Sequence, residues 1–256
     1  MHTAELVHLD VADGIATITL DSPANRNALS RQLRGELLTH LDAALADDAA
    51  RVVVLTHTGT VFCAGMDLKE SRGAAAQDQG ITEVPRILQT LLTSPKPVIA
   101  RLSGPARAGG VGIVAACDIA LAAQSATFAF SEVRIGVVPA VISVTVLPRL
   151  LPRAAHELYL TGETFDARRA AAIGLINAAV PTEELDAEVA RYAGMLRLGA
   201  PGALAATKEL LHSPPEGTLP ERFATMLKLS ARFFAGAEGQ EGMRAFAEKR
   251  PPSWVG

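Results

Sequence analysis

The amino-acid sequence predicts an α/β fold with a mostly parallel sheet, and three observations support this prediction. Over the first half of the chain, short apolar segments alternate with glycine-containing loops and helix-like segments. After Pro139 the pattern changes to helices separated by proline and glycine. The 256 residues, 49% of them hydrophobic and 20% charged, are enough for one large core with an appendage.

Local periodicity predicts the elements of the first half. Ile15–Leu20 alternates as a strand does, and a turn at Asp21, Ser22 and Pro23 follows. Leucine recurs at positions 29, 33, 37, 41 and 45, which is the spacing of one face of an amphipathic helix. We also expect strands at 51–56, 97–102 and 119–122, helices at 83–92 and 110–117, and a mobile segment at 73–80.

The second half is predicted to be mainly helical. Asp166 is placed to cap a helix that ends before Gly174. Further helices are expected at 182–196, 203–211 and 219–234, and the prolines at 214 and 215 separate two of them. The chain is therefore divided into a core at 1–197 and a helical C-terminal region at 198–256.

Composition argues against two classes of partner. A net charge of −3 and an aromatic content of 4% give no basis for binding nucleic acid. Residues 1–10 lack the pattern of a signal peptide, and no apolar run reaches the roughly 18 residues that span a bilayer, so no membrane association is expected. Cys63 and Cys117 lack metal-ligand spacing, and we expect reduced structural thiols, no metal site and a cytoplasmic location.

Two glycine-bearing loops are the strongest candidates for a functional site. They are Phe62-Cys63-Ala64-Gly65-Met66-Asp67 and Ala106-Arg107-Ala108-Gly109-Gly110. Loops at the carboxyl ends of parallel strands form the binding crevice of an α/β fold. If these two loops meet, the N–H groups of Met66 and Gly109 would point at one oxygen, close to the positive end of a helix. Such a pair is an oxyanion hole, which stabilises an enolate as charge moves onto a thioester oxygen.

Two alternatives stay open at this point. The glycines are also explained by tight turns that bind nothing. The pattern Gly110-x-Gly112-x-x-Ala115, with Glu132 about twenty residues further on, also fits a dinucleotide-binding fingerprint. That fingerprint usually follows a strand directly in the first βαβ unit, whereas this motif lies in mid-chain, several residues after Leu102.

Six segments in order carry a resemblance to a known family. They are Asn25-Arg26-Asn27-Ala28-Leu29-Ser30, Phe62-Cys63-Ala64-Gly65-Met66-Asp67-Leu68-Lys69, the second glycine loop with Cys117-Asp118, Ser131-Glu132 with Gly136 and Pro139, Leu160-Thr161-Gly162-Glu163, and Phe246-Ala247-Glu248-Lys249-Arg250-Pro251. With these segments the chain resembles the crotonase superfamily, the enoyl-CoA hydratase/isomerase family, over nearly its whole length.

The resemblance implies a spiral of ββα units, followed by helices used to form a homotrimer or a dimer of trimers. It implies an acyl-CoA thioester as ligand and no separate cofactor, because coenzyme A is part of the substrate. Met66 and Gly109 map to the two oxyanion donors. The other implied substrate-binding positions are backbone near Ala28, Ala64 and Leu68 for the adenine end, the side chains of Arg26, Lys69 and Lys249 for phosphates, and the loop residues Gly65, Asp67, Gly110 and Gly112.

One acid that the resemblance leads us to expect is missing. Hydratases of this family typically use two glutamates that flank a water molecule. The second maps to Glu132, but the position of the first is Gly112. Glycine cannot transfer a side-chain proton, and it costs about 1 kcal/mol relative to alanine inside a helix. A close-packing need or room for a bulky acyl group would explain it.

Glu132 is therefore the general acid/base to which the motifs point, with a pKa raised by a largely apolar cleft. Three functions are compatible with one carboxylate: hydration of a 2-enoyl-CoA, proton shuttling between C2 and C4 of an enoyl chain, and acyl-CoA binding without turnover. The segments around Gly112, Glu132 and Ser143 resemble a bacterial branch of hydratases, some of which act on methylglutaconyl-type thioesters, and this favours hydration. Ser143 is a candidate to position water or a polar acyl group.

Overall fold

The computed structural model describes residues 4–71 and 82–255. The segment at 73–80, expected to be mobile, lies outside the described residues. The strands are β1 (Val7–Ala12), β2 (Ile15–Leu20), β3 (Val52–His57), β4 (Val98–Leu102), β5 (Ala106–Arg107), β6 (Ile119–Ala123), β7 (Thr127–Ala129), β8 (Phe165–Asp166) and β9 (Ala178–Val180). One sheet has the order β1-β2-β3-β4-β6-β9 and the other has the order β5-β7-β8.

Helices make up most of the remaining described structure. They are α1 (Arg31–Ala46), α2 (Leu68–Ser71), α3 (Glu83–Thr93), α4 (Gly109–Ala116), α5 (Ala140–Val146), α6 (Pro152–Thr161), α7 (Ala167–Ala172), α8 (Leu185–Arg197), α9 (Pro201–His212), α10 (Leu219–Ala235) and α11 (Ala237–Glu248). The predicted helices lie close to their expected positions. The predicted N-cap is confirmed, because the Asp166 carboxylate accepts a hydrogen bond from the N–H of Arg169 at 2.7 Å.

The first hairpin was not among the predicted elements. β1 pairs antiparallel with β2, and Ala12 faces Ile15 across a two-residue turn. Asp13 and Gly14 form that turn with φ values of 50° and 74°. An Asp-Gly pair between alternating segments is a strong hairpin signal, because a tight hairpin turn needs positive φ at both positions.

The central strands are mostly parallel, as predicted, and are buried on both faces. β2, β3, β4, β6 and β9 pair in parallel. In β3, Val53 and Leu55 belong to the larger core cluster, whereas Val52 and Val54 belong to a second cluster that includes Val189 of α8. Because successive strand side chains point to opposite faces, β3 lies between two apolar layers.

A buried ion pair attaches α9 to the core. Lys208 is 6% exposed, and its ammonium group lies 2.8 Å from the Asp118 carboxylate and donates to the Leu91 carbonyl at 2.8 Å. The Asp118 carboxylate also accepts a hydrogen bond from the N–H of Val98 at 2.7 Å, at the start of β4, and lies 3.9 Å from the His212 Nε2 atom of α9. Asp118 therefore anchors both a strand and the C-terminal helices, and the boundary at residue 197 stays a prediction.

The next helix, α10, differs from those of the core because none of its residues is buried. Its large apolar side chains are 63–71% exposed at Leu219, Phe223, Leu227 and Phe234. Within the described ranges, no helix combines the length and apolar character needed to cross a membrane.

Candidate active site

The two glycine-bearing loops meet in the structure. Cys63 forms a parallel bridge with Ala106, and the N–H of Arg107 donates to the Cys63 carbonyl at 2.9 Å. Residues in parallel segments stay in register as both chains advance. Three residues beyond this bridge, Met66 and Gly109 therefore occupy corresponding positions on neighbouring segments.

A third segment brings Glu132 to the same edge. β5 and β7 are parallel, with Ala106 opposite Phe128, and the N–H of Ala108 donates to the Ala129 carbonyl at 3.2 Å. Both strands end one residue after this pair, at Arg107 and Ala129, and a 3₁₀ turn at Ser131–Ile135 follows the second strand. The sheet therefore places the loop with Glu132 beside the loop with Gly109.

The backbone N–H of Met66 points away from the neighbouring segment that contains Leu29. Leu29 and Met66 form a parallel bridge in which the N–H of Leu29 donates to the Gly65 carbonyl at 2.8 Å. In such a bridge the neighbours of Met66 make the hydrogen bonds to Leu29, so the N–H of Met66 points to the opposite side. Among the described residues, neither this N–H nor that of Gly109 has a hydrogen-bond partner.

Gly65 allows the two loops to approach this closely. Its φ is +88°, and a methyl group added to it would lie 2.9 Å from the Ala108 Cβ and 3.2 Å from the Arg107 carbonyl oxygen. The same added carbon would lie 3.6 Å from the nitrogen of Gly109. A side chain at position 65 would therefore separate the two amides that are predicted to share one oxygen.

The residue before α4 has a strained conformation. Ala108 has a φ of 47°, in a region that non-glycine residues seldom occupy. Its carbonyl accepts hydrogen bonds from the N–H groups of Val111 at 2.9 Å and Gly112 at 3.2 Å, which leaves the first N–H groups of the helix for another acceptor. Strain of this kind is often retained where a backbone must be held for function.

Glu132 provides a partly buried carboxylate at this edge. Its Oε2 atom is buried and has no hydrogen-bond partner among the described residues. Burial raises the pKa of Glu132, and a hydrogen bond from its own backbone N–H lowers that pKa to a smaller extent. The direction agrees with the prediction from the sequence and suits a group that accepts and returns a proton near neutral pH.

The Tyr159 hydroxyl lies near both Glu132 and the Ser143 hydroxyl. The Tyr159 hydroxyl, on α6, is also buried without a hydrogen-bond partner among the described residues. Burial raises the pKa of Tyr159, a hydrogen-bonding interaction with the Ser143 hydroxyl, too poorly aligned to be a formed hydrogen bond, lowers it, and the charge of Glu132 raises it. Ser143 itself donates to the Pro139 carbonyl at 2.6 Å, so its proton is already used. Sequence patterns gave no indication of Tyr159.

The position of the missing acid is filled by an apolar contact. A methyl group added to Gly112 would lie 2.5 Å from the Ile142 Cγ2 and 3.0 Å from the Ile142 Cβ. The helices are further joined by the Thr145 hydroxyl, which donates to the Gly112 carbonyl at 3.0 Å. Of the two explanations offered for Gly112, the structure supports close packing, and it leaves no space there for a carboxylate.

The same packing argues against the dinucleotide alternative. β5, which precedes α4, has two residues and belongs to the smaller sheet. A carbon added to Gly110 would lie 2.8 Å from the Cys63 carbonyl oxygen. Gly110 and Gly112 therefore face protein atoms, whereas a dinucleotide-binding loop presents its glycines to a pyrophosphate.

The residues predicted to hold the coenzyme A portion are divided between the loops and the surface. Ala28 is buried, and the N–H of Ala64 donates to the Arg26 carbonyl at 3.1 Å, which joins the first two motifs. The side chains of Arg26 and Lys69 are exposed, as is that of Leu68. These positions are compatible with phosphate and adenine contacts, and the contacts themselves stay predictions.

Asp67 organises the loop between Gly65 and α2. Its carboxylate accepts hydrogen bonds from the Asn25 side chain at 2.7 Å and from the N–H of Lys69 at 2.9 Å. Burial alone would raise the pKa of Asp67, but these hydrogen bonds and that of the Glu70 N–H lower it overall. The geometry supports a structural role for Asp67, and its predicted substrate contact stays untested.

Lys249 lies at the C-terminal end of α11, in a left-handed conformation with a φ of 54°. Its helix packs on α10 and contacts α9 through Glu238, which accepts a hydrogen bond from the N–H of Gly202 at 2.9 Å. Within the described residues, no hydrogen bond or ion pair joins Lys249 to the glycine loops. Its role at a phosphate stays a prediction.

Both cysteines have the structural character expected from the sequence. Cys63 and Cys117 are free and buried, and burial raises the pKa of each thiol to about 12. Thiols with so high a pKa are poor nucleophiles. Within the described residues, no group of three histidine, cysteine, aspartate or glutamate side chains is placed to hold a metal ion.

Comparison with known proteins identifies the family to which the chain is similar. The model of the family "Enoyl-CoA hydratase/isomerase" matches residues 10–256. A relative from Thermus thermophilus, provisionally named an enoyl-CoA hydratase, is 37% identical over 243 residues, which is 93% of this chain and 96% of the relative. The carnitinyl-CoA dehydratase of Proteus mirabilis is 32% identical over 267 residues, which is 99% of each chain.

Solved structures share the fold. The enoyl-CoA hydratase of Mycobacterium smegmatis has a TM-score of 0.90 and 32% identity, with 98% of this chain and 99% of that chain covered. The match extends over the C-terminal helices, so the predicted fold class is confirmed. From the family model, the relatives and the shared fold, we conclude that the chain belongs to the enoyl-CoA hydratase/isomerase family of the crotonase superfamily.

Proposed function

We propose that this protein is a 2-enoyl-CoA hydratase that uses Glu132 as its single acid/base. The observation that supports the proposal is the arrangement of three parallel segments: the amides of Met66 and Gly109 lie beside the loop of Glu132, a partly buried carboxylate whose Oε2 atom is buried without a partner among the described residues. Amide donors and one proton-transferring group are the components that enolate chemistry on a thioester requires. Members of the family act on acyl-CoA thioesters, and several relatives are named as hydratases or dehydratases.

The proposed reaction uses each component once. The thioester oxygen accepts hydrogen bonds from the N–H groups of Met66 and Gly109. Glu132 takes a proton from water as the hydroxide adds to C3, and the electron pair of the double bond moves through C2 onto the thioester oxygen. Glu132 then returns the proton to C2 as the carbonyl reforms. The sum is addition of one water molecule, with no separate cofactor.

A second function is favoured by one observation. Because Ile142 fills the space beside Gly112, that side of the site offers no second carboxylate to hold water. Glu132 alone is sufficient to move a proton between C2 and C4, so conversion of a 3-enoyl-CoA into a 2-enoyl-CoA is the alternative reaction. The length and branching of the acyl group, including a methylglutaconyl type, are left open in both cases.

One pair of incubations separates these functions. A hydratase converts a 2-enoyl-CoA into a product heavier by one water, with loss of the absorbance of the conjugated thioester. An isomerase converts a 3-enoyl-CoA of the same length into a product of unchanged mass, with gain of that absorbance. If neither substrate changes while both esters raise the melting temperature, the protein is an acyl-CoA-binding module and the proposal is wrong.

We further propose that the protein forms a homotrimer or a dimer of trimers in the cytoplasm. The apolar side chains exposed on α10 support self-association, because a surface of this kind is usually covered in solution. The buried free thiols fit a reducing compartment. Sedimentation velocity of the purified protein tests the assembly, and a monomer at all concentrations would contradict it.

A further inference from the structure

Two polar atoms in the site are buried and lack a partner, and their hydrogen-bonding capacities are complementary. They are the Glu132 Oε2 atom and the Tyr159 hydroxyl. An ionised carboxylate only accepts hydrogen bonds, whereas a phenol has one hydrogen to donate. Buried polar groups nearly always have a partner in native proteins, so two unsatisfied groups in the same small region call for an explanation.

Packing holds the two residues on facing elements. The Tyr159 ring lies 4.5 Å from the Phe130 ring, measured between centroids, and Phe130 is two residues before Glu132. The Phe130 ring also packs against Phe165, at 5.8 Å. This aromatic cluster holds the Tyr159 ring in place. Packing in the core therefore determines where the Tyr159 hydroxyl lies.

Other groups around Glu132 do not satisfy it. Arg134, on the same turn, donates from its Nε atom to the Thr161 carbonyl at 3.1 Å. Ser143 uses its proton at Pro139 and has none for Glu132, although its oxygen is a second acceptor near Tyr159. α4 and α5, which pack on each other beside the site, carry no ionisable side chain. The remaining N–H groups of Arg134 belong to an exposed side chain, whereas the Tyr159 hydroxyl is a buried donor without an acceptor among the described residues.

We propose that Tyr159 is a positioning residue, whose hydroxyl donates a hydrogen bond to the Glu132 carboxylate when an acyl-CoA occupies the site. Hydrogen bonds of catalytic groups are often long or misaligned in an unliganded enzyme and shorten in the complex. No proton is transferred in this contact, since the phenol stays neutral and the carboxylate stays ionised. The bond fixes the orientation of the oxygen that exchanges protons with water and with C2, so the inference rests on the proposed function.

The mutual influence of the two groups agrees with this arrangement. Burial, and to a smaller extent the charge of Glu132, raises the pKa of Tyr159, which keeps the phenol protonated and able to donate. Burial raises the pKa of Glu132 in the structure without ligand. A donated hydrogen bond favours the ionised form, so ligand binding is expected to lower the pKa of Glu132.

The test uses Tyr159→Phe, which keeps the ring and removes the hydroxyl. The chain offers a matched control, because Tyr192, its other tyrosine, lies on α8 against the second core cluster with Arg191 stacked over its ring at 4.4 Å. Glutamate labelled with ¹³C at the side-chain carboxyl is titrated by NMR in the wild type, Tyr159→Phe and Tyr192→Phe, with and without a saturated, non-reacting acyl-CoA such as butyryl-CoA. Glu132→Gln assigns the resonance.

We expect butyryl-CoA to lower the pKa of Glu132 in the wild type and in Tyr192→Phe but not in Tyr159→Phe. With the reacting substrate, Tyr159→Phe is expected to lower kcat by about 10- to 100-fold, the effect of one hydrogen bond to a charged group, with KM little changed. A role in packing alone would alter stability without this ligand-dependent difference in titration.

Failure of the inference differs from failure of the proposed function. If butyryl-CoA shifts the Glu132 resonance but the wild type and Tyr159→Phe titrate alike, Tyr159 does not position Glu132 and the inference is wrong. A rise in KM alone in Tyr159→Phe would overturn it in favour of a direct substrate contact. If the ligand-dependent difference is present but no enoyl-CoA is hydrated, the pairing stands and the proposed reaction fails.

Discussion

The two sides of the candidate site are built in different ways. On the amide side, the loops of Met66 and Gly109 are fixed by backbone hydrogen bonds and by contacts that exclude a side chain at Gly65. On the carboxyl side, Glu132, Ser143 and Tyr159 come from three separate elements, and one space is filled by Ile142. The amide side is therefore specified by backbone geometry that few sequences satisfy, whereas the carboxyl side depends on side chains that can change the chemistry without changing the fold.

The largest expected effect is on the carboxyl side. Glu132→Gln removes the proposed acid/base while preserving size, so kcat/KM for the reacting enoyl-CoA is expected to fall by about 10²–10⁴-fold. Acyl-CoA binding, measured as the rise in melting temperature, should stay close to that of the wild type. Glu209→Gln, an exposed carboxyl on α9, serves as the control. Retention of most of the activity by Glu132→Gln would mean that another group transfers the proton.

On the amide side, Gly65→Ala is expected to lower kcat by about 10²–10³-fold, the usual effect of losing one oxyanion donor. The added carbon would lie 2.9 Å from the Ala108 Cβ in a backbone with a φ of +88°, so the two loops must separate and the free energy of unfolding should fall by about 1–3 kcal/mol.

Gly35→Ala is the matched control for this substitution. Gly35 is exposed in α1, and a carbon added there meets nothing within 4 Å. Alanine at position 35 should leave activity unchanged and increase the free energy of unfolding by up to about 1 kcal/mol in urea denaturation. Equal behaviour of the two alanine variants would show that the close approach of the loops is not needed.

The same comparison shows what could be predicted from the sequence. The central strands could be predicted because runs such as that of β3 are apolar and long enough to show a pattern. Met66, Gly109 and Glu132 were proposed from local motifs, and the structure brings their loops to one edge, whereas their roles stay predictions. The strands β5 and β7, which set the register of the site, have two and three residues and carry no periodicity.

Contacts between distant segments explain the rest. Gly112 meets Ile142 and Phe130 meets Tyr159, and in each pair about thirty residues separate the partners. Neither contact produces a local sequence pattern, because each of the four residues is compatible with its own helix or loop whatever its distant partner is. The sequence therefore showed that an acid was absent at position 112 but could not identify the side chain that takes its space.

A smaller effect is expected for Gly112→Ala, because it overfills a packed contact between α4 and α5. The added carbon would lie 2.5 Å from the Ile142 Cγ2, so the free energy of unfolding should fall by about 1–3 kcal/mol. Ile142→Ala should also destabilise the protein through the cavity it leaves. The double variant should be more stable than the sum of the two changes predicts, since each relieves the defect of the other. Strict additivity in denaturant unfolding would show that the two residues do not share this space.

The smallest expected effect is on the free energy of unfolding, which burial of the ionised Glu132 carboxylate lowers. Its pKa is raised in the folded protein by burial, so the unfolded state releases the proton at lower pH than the folded state does. Below the ordinary glutamate pKa both states are protonated and the carboxylate causes no loss of stability. The loss grows as pH rises from the ordinary pKa to the raised pKa, and it is complete above the raised pKa. Glu132→Gln should therefore be more stable than the wild type at about pH 7, by about 1 kcal/mol because the residue remains in partial contact with solvent, and equally stable at about pH 4. A stability difference independent of pH would mean that the Glu132 carboxylate has hydrogen-bond partners in solution. Hydrogen bonds would then fix the carboxyl side of the site as they fix the loops of the amide side.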